Sequence, residues 1–247
     1  KRFADPQLKK IPNWIKVYEP LEATRITYTT TSVDDFEKVF VIGDVHGCYD
    51  QLMEFYKLHD KVTVNISGGG SFTGQKQVAS GAVNIGNSDV DLAADLKDKG
   101  LVATPLVGIP FVFITNPDVA IDSLTAQQMT DILTGKVKNW QEVGGKDQKI
   151  TIIHRSKSSG SRATIAAVVL KGKEFTNDAI IQDSNGAVRS AIATTPGAIG
   201  YVDAAYVDKT VKALKYEGVA FSIEAVSSGK YPVYTTGRMF TKGEPTG

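Results

Sequence analysis

Three stretches set a glycine- and serine-rich turn between an apolar, β-prone run and a segment able to begin a helix. The sharpest is Arg155-Ser156-Lys157-Ser158-Ser159-Gly160-Ser161-Arg162, which follows the run ending at His154. The second is Ser67-Gly68-Gly69-Gly70-Ser71-Phe72-Thr73-Gly74, with Ser71 at the helix start, and the third is Asn87-Ser88-Asp89. A helix start carries N–H groups without intrahelical acceptors, and the helix dipole adds partial positive charge there, so such ends suit anions. Arg155 offers a planar fork for bidentate contact with an oxyanion. Ser159 and Ser161 offer hydroxyl donors, and Gly160 lets the backbone approach closely. Taken singly, each feature is as readily a turn, a surface cation or a cap. Their occurrence in order, each after a strand, points to oxyanion binding.

Asp89 sharpens the chemistry. An ionised carboxylate only accepts hydrogen bonds, so it suits an anion that still carries a proton. Phosphate near neutral pH keeps at least one proton and sulfate keeps none. A buried acceptor left unpaired by sulfate would discriminate between the two.

A second kind of chemistry sits in Val41-Ile42-Gly43-Asp44-Val45-His46-Gly47-Cys48. A strand ending in G-D-x-H-G resembles the first metal-binding motif of calcineurin-like metallophosphoesterases, which implies Asp44 and His46 as ligands of one ion of a two-metal centre. That chemistry needs further ligands. The remaining histidines, His59 and His154, read as the polar edge of a helix and as a strand-end residue, so Asp44 and His46 would hold a metal weakly. The arm before the motif also looks like a leader into such a phosphatase.

Bulk properties bound the rest. With 247 residues, 42% apolar and 22% charged, the chain has the composition of an ordinary globular protein with a sizeable core. A formal net charge of +1 gives no electrostatic case for nucleic acid or an acidic membrane surface. No apolar run approaches the roughly 20 residues that span a bilayer. The first residues, Lys1-Arg2-Phe3, lack a signal peptide's apolar stretch, so a targeting segment is expected to be absent or removed. The lone Cys48 excludes an intramolecular disulfide framework and a cysteine-rich zinc site. No cofactor is indicated.

The elements that must position these loops follow an α/β rhythm. Residues 1–37 read as an irregular extension with one edge strand from Arg25 to Ser32. Val39-Phe40-Val41-Ile42 is a buried parallel strand, a helix follows from Cys48, and Val62, Val64 and Ile66 alternate as the next strand. A short helix from about Gly74 to Ser80 then leads to a strand over Ala82–Gly86. Phe111–Ile114 continues an extended stretch broken by Pro105 and Pro110, a plausible crossing between lobes. Thr125 and Gln128 predict a capping box on a helix that Gly135 ends. A strand over Ile150–His154, a helix over Ser161–Leu170 and a late strand over Ile199–Val202 complete a doubly wound pattern.

From about Lys61 to Gly247 the sequence resembles the phosphate-binding subunit of bacterial phosphate ABC transporters. The resemblance is carried by VTVNISGGGSFTGQKQVASGAVNIGNSDV, LTAQQMTDILTGKVKNWQEVGG, RSKSSGSRATI, TTPGAIGYV and YTTGRMFTKGEPTG. It implies a two-lobed, type II periplasmic-binding-protein-like α/β architecture closing on its ligand by a hinge. It also implies phosphate contacts at Ser71, Asp89, Arg155, Ser159, Gly160 and Ser161, with no catalysis. The implied partner is a membrane permease, the location extracytoplasmic and the state monomeric. The expected organisation is an extension over 1–37, a first lobe of 38–104 plus 206–247, and a second lobe of 105–205. Gly43 falls on the glycine of the family's first loop, but Asp44 and Val45 fall on its hydroxyl positions, which would weaken the site. The two resemblances meet near residue 60 and suggest either a junction between unrelated parents or one natural chain with a divergent first unit. The alternative functions are a metal-dependent phosphoesterase fragment, or an engineered chimera with neither activity.

Overall fold

The computed structural model describes residues 38–42 and 63–245. The chain divides into two compact units, one of residues up to Gly108 together with those from Thr236 onward, the other Ile109–Thr235.

In the first unit, strands β1 (Lys38–Ile42), β2 (Thr63–Ser67), β3 (Ile85–Ser88) and β11 (Tyr234–Lys242) lie in the order β2-β1-β3-β11. β1 is parallel to both neighbours, with Val39 opposite Val64 and Val41 opposite Ile85. β11 runs antiparallel on β3, setting Arg238 opposite Ser88 and Phe240 opposite Gly86. Parallel strands need a crossover, and helix α1 (Ser71–Ser80) supplies the one from β2 past β1 to β3.

The buried residues of α1 are Ser71, Gly74, Gln75 and Val78, spaced as one helical face. The helix seats closely on β3 because both sides lack bulk. A Cβ on Gly86 would lie 2.8 Å from the Gly74 carbonyl oxygen and 2.9 Å from Val78 Cγ2. α1 starts at Ser71 rather than Gly74. It ends at Gly81, whose φ of 76° allows the N–H of Ala82 to return to the Gln77 carbonyl. That cap uses the residues expected to open the next strand, so β3 begins at Ile85. A 3-10 segment (Ala94–Lys99) then leads into β4 (Leu101–Thr115), which carries the chain into the second unit as one strand despite Pro105 and Pro110. Both prolines precede the residues of β4 that pair with the next unit's strands.

The second unit is built on β4, β6 (Thr151–Arg155), β7 (Ile180–Gln182) and β8 (Ala198–Asp203), in the order β4-β8-β6-β7. β6 is parallel to β7 and β8, while β4 is antiparallel to β8. Helix α4 (Asn185–Thr194) covers this sheet, and its Val188 and Ile192 pack with Val112, Ile114, Ile153 and Val202. Gly200 admits that contact, since a Cβ there would stand 2.8 Å from Ile192 Cδ1 and 2.2 Å from the Ile153 carbonyl oxygen. Helix α2 (Ala126–Leu133) starts on the expected box, with Thr125 accepting from the N–H of Gln128 and the Gln128 side chain accepting from that of Thr125.

Helix α3 runs over Gly160–Ile165 and continues as a π-helical turn over Ala166–Leu170, so the expected single α-helix is two segments. Residues 206–235, assigned by sequence to the first lobe, belong to the second unit. The reason is local pairing: β9 (Lys212–Ala213) adds to β4, β10 (Lys215–Tyr216) pairs with β5 (Ser123–Leu124), and the Tyr231 hydroxyl donates to the Phe111 carbonyl over 2.8 Å. The expected extension over 1–37 lies outside the described residues. Among the described residues no helix is long and apolar enough to cross a membrane.

Candidate functional site

The first unit brings Ser71 and Asp89 together. β2 ends at Ser67, three glycines turn the chain, and Ser71 opens α1 with Gly70 as its extended N-cap. Asp89 is the first residue after β3. Its backbone N–H donates to Ser71 Oγ over 2.9 Å, and both residues are buried. Because the Ser71 oxygen accepts from this amide, the hydroxyl proton is directed elsewhere and is available as a donor.

The Asp89 loop is held from beneath by Gln75, a residue that sequence reasoning missed. Its side-chain amide donates to Ser88 Oγ at 2.9 Å and to the Asp91 carbonyl at 3.0 Å, with Val90 O at 3.4 Å, and it accepts from the Ala93 N–H at 2.9 Å. Arg238 was missed as well. It faces Ser88 across the β3–β11 ladder, is nearly buried, and pairs with Asp91 at 2.7 Å.

The second unit places Arg155 at the end of β6 and Ser159, Gly160 and Ser161 at the start of α3, all of them buried. Arg155 is 2% exposed, and one arm of its guanidinium donates to the Asp183 carbonyl over 2.8 Å, which fixes the plane of the fork. Ser159 is the N-cap of α3, and its hydroxyl oxygen accepts from the Arg162 N–H. This repeats the arrangement at Ser71: a backbone amide donates to the hydroxyl oxygen, and the hydroxyl keeps its own proton as a donor.

Arg162, inside the motif but given no role from sequence, supports the loop from behind. Its guanidinium lies 4.7 Å from the Phe175 ring centre and donates to the Arg155 carbonyl over 3.0 Å. His154 Nδ1 is within 3.0 Å of both Arg162 and the Arg155 carbonyl. Burial, opposed by its hydrogen bond to the Arg155 backbone and reinforced by the Arg162 charge, holds the His154 pKa below the ordinary imidazole value.

A cavity of about 310 Å³ opens in this unit beside Lys157, Arg162, Lys173 and Phe175; Arg155, Ser159, Gly160 and Ser161 do not line it. Asp44 and His46 lie outside the described residues. Among the described residues no group of three or more metal-ligating side chains is assembled. The second unit thus gathers hydroxyl groups and a guanidinium at one loop, and the first unit a hydroxyl and a carboxylate at another.

Residues 46–247 match a family model described as a PBP superfamily domain. The chain is 40% identical over 197 residues to the phosphate-binding protein PstS of Bacillus subtilis, an alignment covering 78% of this chain and 65% of that protein. It is 28% identical to the protein of the same name from Borreliella burgdorferi, over 85% of this chain and 81% of the relative. Among solved structures, a Clostridium perfringens protein described as a phosphate ABC transporter substrate-binding protein, with phosphate bound, superposes with a TM-score of 0.78. The identity is 31%, covering 83% of this chain and 86% of the other. The family match begins at His46 and spans residue 60. The comparisons lend no support to a junction there, to a metallophosphoesterase-like fragment over 1–59 or to a chimera.

Proposed function

The chain belongs to the PBP superfamily, and on that premise we propose that it binds inorganic phosphate without transforming it. Arg155, Ser159, Gly160 and Ser161 on the second unit and Ser71 and Asp89 on the first are the contacting residues in this reading. The observation that carries it is the pair of hydroxyls, Ser71 and Ser159, each with its oxygen occupied by a backbone amide and its proton free to donate. Such preorganised donors suit an oxyanion, and the Arg155 fork beside Ser159 supplies the charge. Asp89 adds a carboxylate acceptor, which suits an oxyanion that still carries a proton and so favours phosphate over sulfate.

Two relatives bear the name phosphate-binding protein, and the Clostridium perfringens neighbour was solved with phosphate bound. The chain spans 65% of the length of the Bacillus subtilis relative. Delivery of phosphate to the permease of an ABC transporter, an extracytoplasmic location and a monomeric state are parts of the same proposal.

Isothermal titration tests it. Phosphate should bind at micromolar concentration or tighter, about 8 kcal/mol or more, and sulfate far more weakly. A folded sample that gives no heat with phosphate at roughly 1 mM overturns the reading.

A further inference from the structure

We propose that Arg162 is a positioning residue that fastens the Arg155–Ser161 loop for its anion, and that it does so only while His154 is neutral. The proposal rests on the phosphate reading above and gives roles to two residues outside the set that contacts the ligand in that reading.

Arg162 holds two of the contact residues at once. Its backbone N–H donates to Ser159 Oγ over 3.3 Å, and its guanidinium donates to the Arg155 carbonyl over 3.0 Å. The same guanidinium nitrogen lies 3.0 Å from His154 Nδ1, and the guanidinium carbon stands 4.7 Å from the centre of the Phe175 ring. His154 packs on that ring as well, with 4.8 Å between ring centres. The carbonyl, the imidazole and the aromatic face together pin a long side chain that would otherwise sample many rotamers. The backbone that carries the Arg155 fork therefore has a fixed anchor behind it.

His154 decides whether that anchor persists. A neutral imidazole can accept at Nδ1 from Arg162, whereas an imidazolium has only donors. Protonation removes the acceptor and sets two cations 3.0 Å apart. The new Nδ1–H turns to the Arg155 carbonyl, also 3.0 Å away, and competes there with Arg162. The surrounding groups do not offset this. Arg155 adjoins on β6 with a further positive charge, and burial keeps the Tyr201 hydroxyl on β8 protonated. β7 sets Ile181 opposite His154, and the segment that supplies Phe175 carries Lys173 and Glu174, both exposed. Helix α4 packs against Ile153, on the other face of β6. An added charge also attracts an anion through space, in the opposite sense. His154 lies on the face of β6 opposite Arg155 but within contact of Arg162, so the local disruption outweighs that attraction and acid weakens binding.

The test compares the full chain with His154→Asn, whose Oδ1 can accept from Arg162 in place of Nδ1 and does not titrate. Phosphate Kd is measured by calorimetric titration from about pH 7.5 to about pH 4.5, with near-UV circular dichroism to verify folding. The ratio of parent Kd to variant Kd cancels the titration of phosphate itself. It should stand near one at the upper pH and rise at least about threefold at the lower. By linkage, saturating phosphate should move the His154 ring titration, followed by NMR, to lower pH. Arg162→Gln should bind phosphate roughly tenfold more weakly at the upper pH and lose the acid-induced rise. A merely structural pair would lower the melting midpoint and leave the ratio flat. A flat ratio in folded samples, a ratio that falls in acid, or folded Arg162→Gln with the parental affinity overturns the proposal while the phosphate reading stands. Failure of the parent chain to bind phosphate at the upper pH overturns both.

Discussion

The backbone N–H of Asp89 donates to the Ser71 hydroxyl over 2.9 Å, tying the residue that follows a strand to the residue that begins a helix. One side chain thus serves two purposes. It satisfies a buried amide, and it retains a hydroxyl proton to donate.

Ser71→Ala should therefore cost twice. The orphaned amide of Asp89 lowers stability by about 1–3 kcal/mol, read as a fall in the calorimetric midpoint. Phosphate affinity should drop by roughly tenfold, since a donor is lost as well. Ser71→Thr keeps the hydroxyl and should recover most of the affinity. If alanine binds phosphate as tightly as serine, Ser71 is not a ligand contact.

Asp89→Asn replaces an acceptor-only group by one that also donates. Phosphate should bind more weakly and sulfate more tightly, narrowing their ratio by about tenfold or more in competition titrations. An unchanged ratio would remove Asp89 as the discriminating group.

Arg155→Lys keeps a charge but removes the planar fork and its anchor on the Asp183 carbonyl. The expected loss is about 2–4 kcal/mol of phosphate binding, or roughly 30- to 1,000-fold in Kd. Titration showing a change of less than about threefold would mean that the fork does not engage the anion.

His154 gives the protein a pH dependence of known sign. Its folded-state pKa is held below the ordinary value of 6.5 by burial and by the neighbouring Arg162 charge. The unfolded chain therefore takes up this proton more readily than the folded one. The stability His154 contributes is complete above pH 6.5 and declines as pH falls through the folded value. The urea midpoint should decrease from pH 7.5 to pH 5.5, and His154→Gln should flatten that decrease. An identical slope in both proteins would exclude His154 as its source.

Some of this was legible in the residues and some was not, for reasons that differ by element. The Thr125–Gln128 box is a local signal and needs no tertiary knowledge, and it stands where it was expected. The Phe111–Ile114 run reads as a strand because it is apolar on both faces, and its side chains are indeed buried. The buried face of α1 escaped because Ser71, Gly74 and Gln75 are not apolar, so hydrophobic periodicity saw only Val78. Gln75 could have been found only by asking what an uncharged amide does one turn after a loop serine. Arg238 carried no local signal at all. Its place beside Asp91 comes from the register of β11 on β3, which joins residues far apart in the chain. The pairing of residues 206–235 with the second unit was not legible because β9 and β10 are two residues each, too short for any alternation to show.

The chain order of the strands has a consequence for synthesis. The second unit is one continuous stretch, Ile109–Thr235, and leaves the ribosome with all its strands. The first unit needs β11, which follows that stretch, to pair with β3 and to bring Arg238 to Asp91. The nascent chain therefore completes the Arg155 loop before it can complete the Asp89 loop. During that interval the β11-facing edge of β3 waits for a strand not yet made.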